Sequence, residues 1–130
     1  MKFLLLLDSN ILIPMLDGSG RELPQVIVDV LHDPDAELWA SVASIWEVAI
    51  KHRQGKLPLP CALEDWPDAF AQLNIRALRI VTAHVVAPVE PLPETKDPFD
   101  RLLLAICRVE RMKLVTLDGK LRDHPLAWRH

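Results

Sequence analysis

Phe3-Leu4-Leu5-Leu6-Leu7-Asp8 is an unbroken apolar run closed by a carboxylate. Five apolar residues in a row, without polar alternation, fit a strand covered on both faces, as in a parallel sheet. The run imitates the start of a signal peptide, but Asp8-Ser9-Asn10 interrupts it and Pro14 follows. No other segment is long enough to span a bilayer, so a cytoplasmic chain without a membrane role is expected.

Outward from this run, the period changes. Leu23, Val26, Ile27, Val30 and Leu31 fall on one helical face, with Pro24 suited to the first helical position. Residues 37–40 read as a second strand and residues 41–54 as a helix, with Gly55 placed to end it. Residues 62–73 read as a helix interrupted by Pro67, and residues 75–81 as a third strand carrying Arg76 and Arg79. Pro88 to Pro93 holds three of the eleven prolines and is expected as a loop. Asp97-Pro98 opens a helix to about Met112, with Phe99, Leu102, Leu103, Ile106 and Val109 as its buried stripe. Residues 113–116 give a fourth strand, and Leu126-Ala127-Trp128 is a weak candidate for another. Strands alternating with helices predict a three-layer α/β/α sandwich around a central, mostly parallel sheet.

At 130 residues, half of them hydrophobic, the chain is expected to form one domain with its own core. A mean hydropathy of +0.14 argues against disorder. The formal net charge is −3, so nucleic acid would have to be held by local basic patches and bound cations, not by a bulk positive field. Cys61 and Cys107 fit no metal or redox spacing and read as structural free thiols.

Ligand sites in open parallel sheets lie beyond the carboxyl ends of the strands. Asp8 follows the first strand and Asp118 the fourth, while Glu47 and Asp100 lie in the helices beside them. Each acid other than Asp8 also has an ordinary explanation. Glu47 completes a capping-box pattern with Ser44, Asp97 reads as an N-cap, Asp100 suits the first helical turn, and Asp118-Gly119 is a turn pair. Asp8 ends a buried run, and its charge requires a partner, either a cation or a distant arginine. Crowded carboxylates are commonly made tolerable by a hard divalent cation, which keeps positions open for phosphate oxygens.

Leu7-Asp8-Ser9-Asn10, Ser44-Ile45-Trp46-Glu47-Val48-Ala49-Ile50-Lys51, Asp97-Pro98-Phe99-Asp100-Arg101-Leu102-Leu103-Leu104-Ala105 and Leu114-Val115-Thr116-Leu117-Asp118 together resemble the PIN-domain toxins called VapC. The resemblance extends over nearly the whole chain and takes in the Gly55-Lys56-Leu57-Pro58 turn and the region of His84. It implies a homodimeric, Mg²⁺-dependent endoribonuclease, with Mn²⁺ as a substitute, that leaves 5′-phosphate and 3′-hydroxyl ends and is silenced by a VapB-type antitoxin. Its metal-binding acids carry over onto Asp8, Glu47, Asp100 and Asp118. The separation of 18 residues between Asp100 and Asp118 suits the last two acids of that family, so the resemblance implies Asp100 and not Asp97 as a ligand. Ser9 and Thr116 match hydroxyl positions that orient the acids or a metal-bound water, with Asp97 a lesser candidate for that duty. Many relatives carry Thr-His where this chain has Ser9-Asn10.

Lys51, Arg53 and Lys56 are candidates for RNA-backbone contact, against the ordinary reading of cations at a helix C-terminus. A second basic cluster, Arg108, Arg111 and Lys113, has the same ordinary reading. Trp39, Trp46, Trp66 and Trp128 read as core or interface, and His84 shows no partner in the sequence. Two rival functions are a haloacid-dehalogenase-like phosphotransferase and a non-catalytic binding module. The first wants an aspartate two residues beyond Asp8, where Asn10 stands, and the second is expected to lose acids that this chain retains.

Overall fold

The apolar run forms β1 (Phe3–Leu7), which lies between two parallel neighbours in the computed structural model. The structure describes residues 1–17, 23–59 and 62–129; Cys61 lies outside the described residues. β1 is followed by α1 (Ser9–Asp17), α2 (Gln25–Leu31), β2 (Ala36–Ser41), α3 (Val42–Arg53), a 3₁₀ turn (Leu63–Asp65) and α4 (Trp66–Gln72). β3 (Ile75–Leu78), α5 (Thr82–Val86), α6 (Pro98–Glu110) and β4 (Lys113–Val115) complete it. All pairings are parallel, in the order β3-β2-β1-β4.

Alternate side chains of β1 serve two different cores. Leu5 and Leu7, with Val115, pack among residues of α1 to α4, including Ile11, Leu12, Val48 and Phe70. Leu6 points the other way, with Leu114, onto Leu103, Leu104, Ile106 and Cys107 of α6. Helices thus cover both faces of the sheet, as the apolar strands require.

Several local expectations are corrected. The sequence reading assigns no element between Asp8 and Leu23, yet α1 is a helix with Pro14 inside it. Pro14 cannot donate to the Asn10 carbonyl, but Ile11, Leu12, Ile13 and Leu16 are all buried, and that packing outweighs one missing bond. Pro24 is the residue before α2 and not its first residue. Ser41, not Ser44, caps α3: its Oγ accepts from the Ala43 N–H at 3.1 Å, so Ser44 and Glu47 form no capping box. Gly55 adopts the left-handed φ of +73° expected after that helix. Pro67 lies in the first turn of α4, where it breaks no bond, so the helix is not interrupted.

β3 stops at Leu78 instead of running to Val81 because the chain turns into α5. There His84 is fully buried: its Nδ1 accepts from the Val81 N–H at 3.1 Å, and its Nε2 donates to Glu110 Oε2 at 3.4 Å. α6 is capped by Asp97 and ends at Arg111, whose φ is +59°. Its buried face is Leu103 to Cys107, broader than expected, while Val109 is exposed. Residues 126–128 form only a bridge, Ala127 beside Leu114, with Leu114 N–H donating to the Leu126 carbonyl and Trp128 N–H to the Leu114 carbonyl. Among the described residues, no helix is long and apolar enough to cross a membrane.

Candidate active site

The strand order reverses between β1 and β4, since β2 and β3 lie on one side of β1 and β4 on the other. In parallel sheets a crevice opens at such a switch point, beyond the carboxyl ends of the strands. Asp8 is the first residue after β1, and Thr116 the first after β4.

Asp8 is 5% exposed, and three neighbours hold its carboxylate. The Thr116 hydroxyl donates to Oδ2 at 2.7 Å, the Ser9 backbone N–H to Oδ1 at 2.7 Å, and the Asn10 side-chain amide to Oδ2 at 3.4 Å. Asn10 also donates to Thr116 Oγ1 at 3.3 Å and accepts from the Leu117 N–H at 3.1 Å, tying α1 to the segment after β4. Thr116 Oγ1 in turn accepts from the Asp118 N–H at 3.0 Å. Ser9 therefore serves Asp8 through its backbone. Burial pushes the Asp8 carboxyl above its ordinary pKa, the bonds from Thr116 and Ser9 oppose the shift, and the charges of Glu47 and Asp118 add to it.

Asp100 sits in the first turn of α6. The buried Thr95 hydroxyl donates to its Oδ2 at 2.9 Å, and the Thr95 carbonyl accepts from Arg101 Nε at 2.7 Å. Burial raises the Asp100 pKa to about 6 against the Thr95 bond, with the charges of Asp97, Asp8 and Asp118 adding. Asp97 is exposed, and its Oδ1 accepts from the Phe99 and Asp100 N–H groups, which is the expected cap. Asp118 is half-buried; its Oδ1 accepts from the Lys120 N–H at 2.9 Å, as a turn residue does.

Asp8 thus lies within electrostatic reach of Glu47 and Asp118, and Asp100 within reach of Asp8 and Asp118, while Glu47 does not act on Asp100. Among the described residues, however, no three acids, histidines or cysteines form a ready-made coordination shell. Nor does an ion pair link the four acids to a lysine or arginine among the described residues, so Asp8 has no distant arginine to neutralise it. Sequence reasoning missed Thr95 and Asn10. The only hints were a threonine shortly before a helix cap and the departure at Asn10 from the residue that relatives carry.

Lys51, Arg53 and Lys56 keep the ordinary reading of cations about a helix end, and Lys51 lies one turn beyond Glu47 on α3. All three are exposed, Lys51 and Arg53 in the C-terminal turn of α3 and Lys56 beyond its end. Among the tryptophans, Trp66 is core, whereas Trp46 is 57% exposed and packs against Phe99 with ring centroids 6.0 Å apart. Cys107 is fully buried, and burial pushes its thiol pKa up, consistent with a structural role.

Comparison with known proteins gives a matching family and a matching fold. The PIN domain profile matches residues 5–125. A chain of a solved "Toxin-antitoxin complex from Klebsiella pneumoniae" has a similar fold, with a TM-score of 0.65 at 20% identity, covering 95% of each chain. No curated protein matches the sequence. The chain belongs to the PIN domain family.

Proposed function

We propose that this PIN-domain chain is a divalent-metal-dependent endoribonuclease and the toxin half of a VapBC-type toxin–antitoxin pair. The observation that supports the proposal is the buried Asp8 at the switch point of the sheet, coupled electrostatically to Glu47 and Asp118, with Asp100 coupled to Asp8 and Asp118. PIN domains are generally nucleases, and the structural neighbour comes from a toxin–antitoxin complex, which motivates an antitoxin partner. By the family resemblance, the chain works as a cytoplasmic homodimer.

The donor set fits Mg²⁺ or Mn²⁺. It is made of hard carboxylate oxygens; burial first and neighbouring acids second raise the pKa of Asp8 and Asp100, so a cation nearby would relieve both costs. Mg²⁺ takes one or two carboxylates directly and keeps several waters, through which the remaining acids would act. Asp8, Glu47, Asp100 and Asp118 would hold it. When bound, it supplies Lewis-acid polarisation of phosphate oxygens and a lowered pKa for water.

The remaining work belongs to the chain. Thr116 and the Ser9 N–H fix both oxygens of Asp8 and favour its charged form. Thr95 does the same for one oxygen of Asp100, with its own position set by Arg101 and by the Asp97 N–H. Asn10 keeps the segment after β4 in register with α1.

Purified protein is expected to cut single-stranded RNA with Mg²⁺ and to stop with excess EDTA. Asp8→Asn is expected to remove cleavage while the protein stays folded. Equal cleavage in EDTA would overturn the proposal.

A further inference from the structure

A cavity of about 270 Å³ opens beside the acid patch, and Thr116, the residue that holds Asp8, forms part of its wall. Arg122, Arg129, Gly119 and Trp128 also line it, as does Asp123. Neither guanidinium has an ion-pair partner among the described residues. Arg129 Nη2 lies against the Asp123 backbone carbonyl, a neutral acceptor that leaves its charge unneutralised. Arg122 makes no side-chain bond among the described residues, and its position is set through its own backbone N–H, which donates to the Asp118 carbonyl at 3.1 Å. At Gly119 a Cβ would meet nothing within 4 Å, so the cavity has room on that side.

Two unpaired guanidiniums against one carboxylate leave this wall positive, next to a patch of four acids in a protein whose net charge is −3. Arginine suits phosphate because its planar fork donates two parallel bonds and stays charged at any working pH. The basic cluster at Lys51, Arg53 and Lys56 has no such connection to the acids.

Resting on the nuclease reading above, we propose that this cavity is a phosphate subsite, in which Arg122 and Arg129 hold the backbone phosphate next to the scissile one in single-stranded RNA. The acids repel the strand where it is to be cut, and the arginines hold it alongside, at the wall that Thr116 shares with the acids. Phosphate contacts position a strand without reading its sequence, so the subsite contributes affinity and register, not base preference.

The test uses a fluorescein-labelled single-stranded RNA of randomised sequence. Binding is followed by anisotropy in EDTA over a range of KCl concentrations, and cleavage is followed in Mg²⁺. Arg122→Gln and Arg129→Gln are each expected to weaken binding roughly tenfold, as loss of a charged hydrogen bond does. Each should make the slope of log affinity against log salt shallower by about 0.7, the value for one phosphate of a single strand. In cleavage, KM should rise with kcat largely kept. Arg122→Lys should recover the salt slope, which a purely structural role would not produce. Arg108→Gln, which loses only a bond to the Pro88 carbonyl, should behave as the parent. Unchanged binding and salt slope in both glutamine variants, with cleavage intact, would overturn the subsite and leave the nuclease reading standing. The same holds if the two variants lose affinity only for a co-expressed antitoxin. Parent protein that neither binds nor cuts RNA would overturn both.

Discussion

Thr116 donates to Asp8 at 2.7 Å across 108 residues of sequence. The bond spans the switch point, from the residue after β4 to the residue after β1, and it favours the charged carboxylate in a buried place that disfavours it. Thr116→Val keeps the shape and removes the bond. The Asp8 pKa should rise further, and metal affinity and cleavage should each fall about 10–100-fold, as for other residues that orient metal ligands. Calorimetric Mg²⁺ titration and initial cleavage rates measure this; a variant equal to the parent in both would show the bond to be incidental.

Asp100 gives a pH signature. Its carboxyl holds a proton up to about pH 6 when folded, against an ordinary value of 3.8, so it stabilises the fold below about pH 4 and loses that contribution as pH rises through about 6. In EDTA the melting temperature of the parent should therefore fall over that window relative to Asp100→Asn, which carries no titrating group there. Asp8 shifts in the same direction and adds its share in both proteins. Mg²⁺ should raise the melting temperature of the parent by mass action and that of the variant much less. Parallel pH curves and an unchanged Mg²⁺ gain would remove Asp100 from the site.

Asp97 should behave as a cap alone. Asp97→Ala removes the acceptor for the Phe99 and Asp100 N–H groups and is expected to cost about 1 kcal/mol of stability. The Mg²⁺-induced gain in melting temperature should persist. Loss of that gain, measured in the same melting series, would make Asp97 a ligand.

Trp66 is buried with its indole N–H unpaired among the described residues. Truncation of a packed tryptophan is ordinarily expensive, but Trp66→Phe also removes a buried donor that has lost its water. The two effects oppose, so the cost should stay within about 1–2 kcal/mol. Urea unfolding checks it, and a loss as large as that of a tryptophan-to-alanine change would mean that the N–H is satisfied.

The parts of this molecule that announce themselves in sequence are those whose cause is local. The apolar run at 3–7 forms a central strand, Asp8 ends it, and Asp97-Pro98 writes a cap and a first turn. The hidden parts owe their form to distant chain. α1 exists because Ile11, Leu12 and Leu16 find a core, which Pro14 conceals from any local reading. Asn10 makes two of its three side-chain partnerships with Thr116 and Leu117, 106 and 107 residues away. Ser44 imitated a cap three residues late because α3 begins immediately at the end of β2, and no loop marks the boundary. Thr95 shows its role only when the loop before α6 folds onto Asp100.

The last described residues have a bearing on association. β4 is an outer strand, and such strands ordinarily offer a row of free N–H and C=O groups to any passing chain. Here Leu114 spends both of its groups on Leu126 and Trp128, so this flank of the sheet is already zipped shut. A second copy cannot extend the sheet past β4 without first peeling away residues 126–128. Any lasting contact with another chain on that side must use side-chain surfaces instead of the backbone ladder, and shortening the chain before Leu126 would turn the same flank into a sticky one.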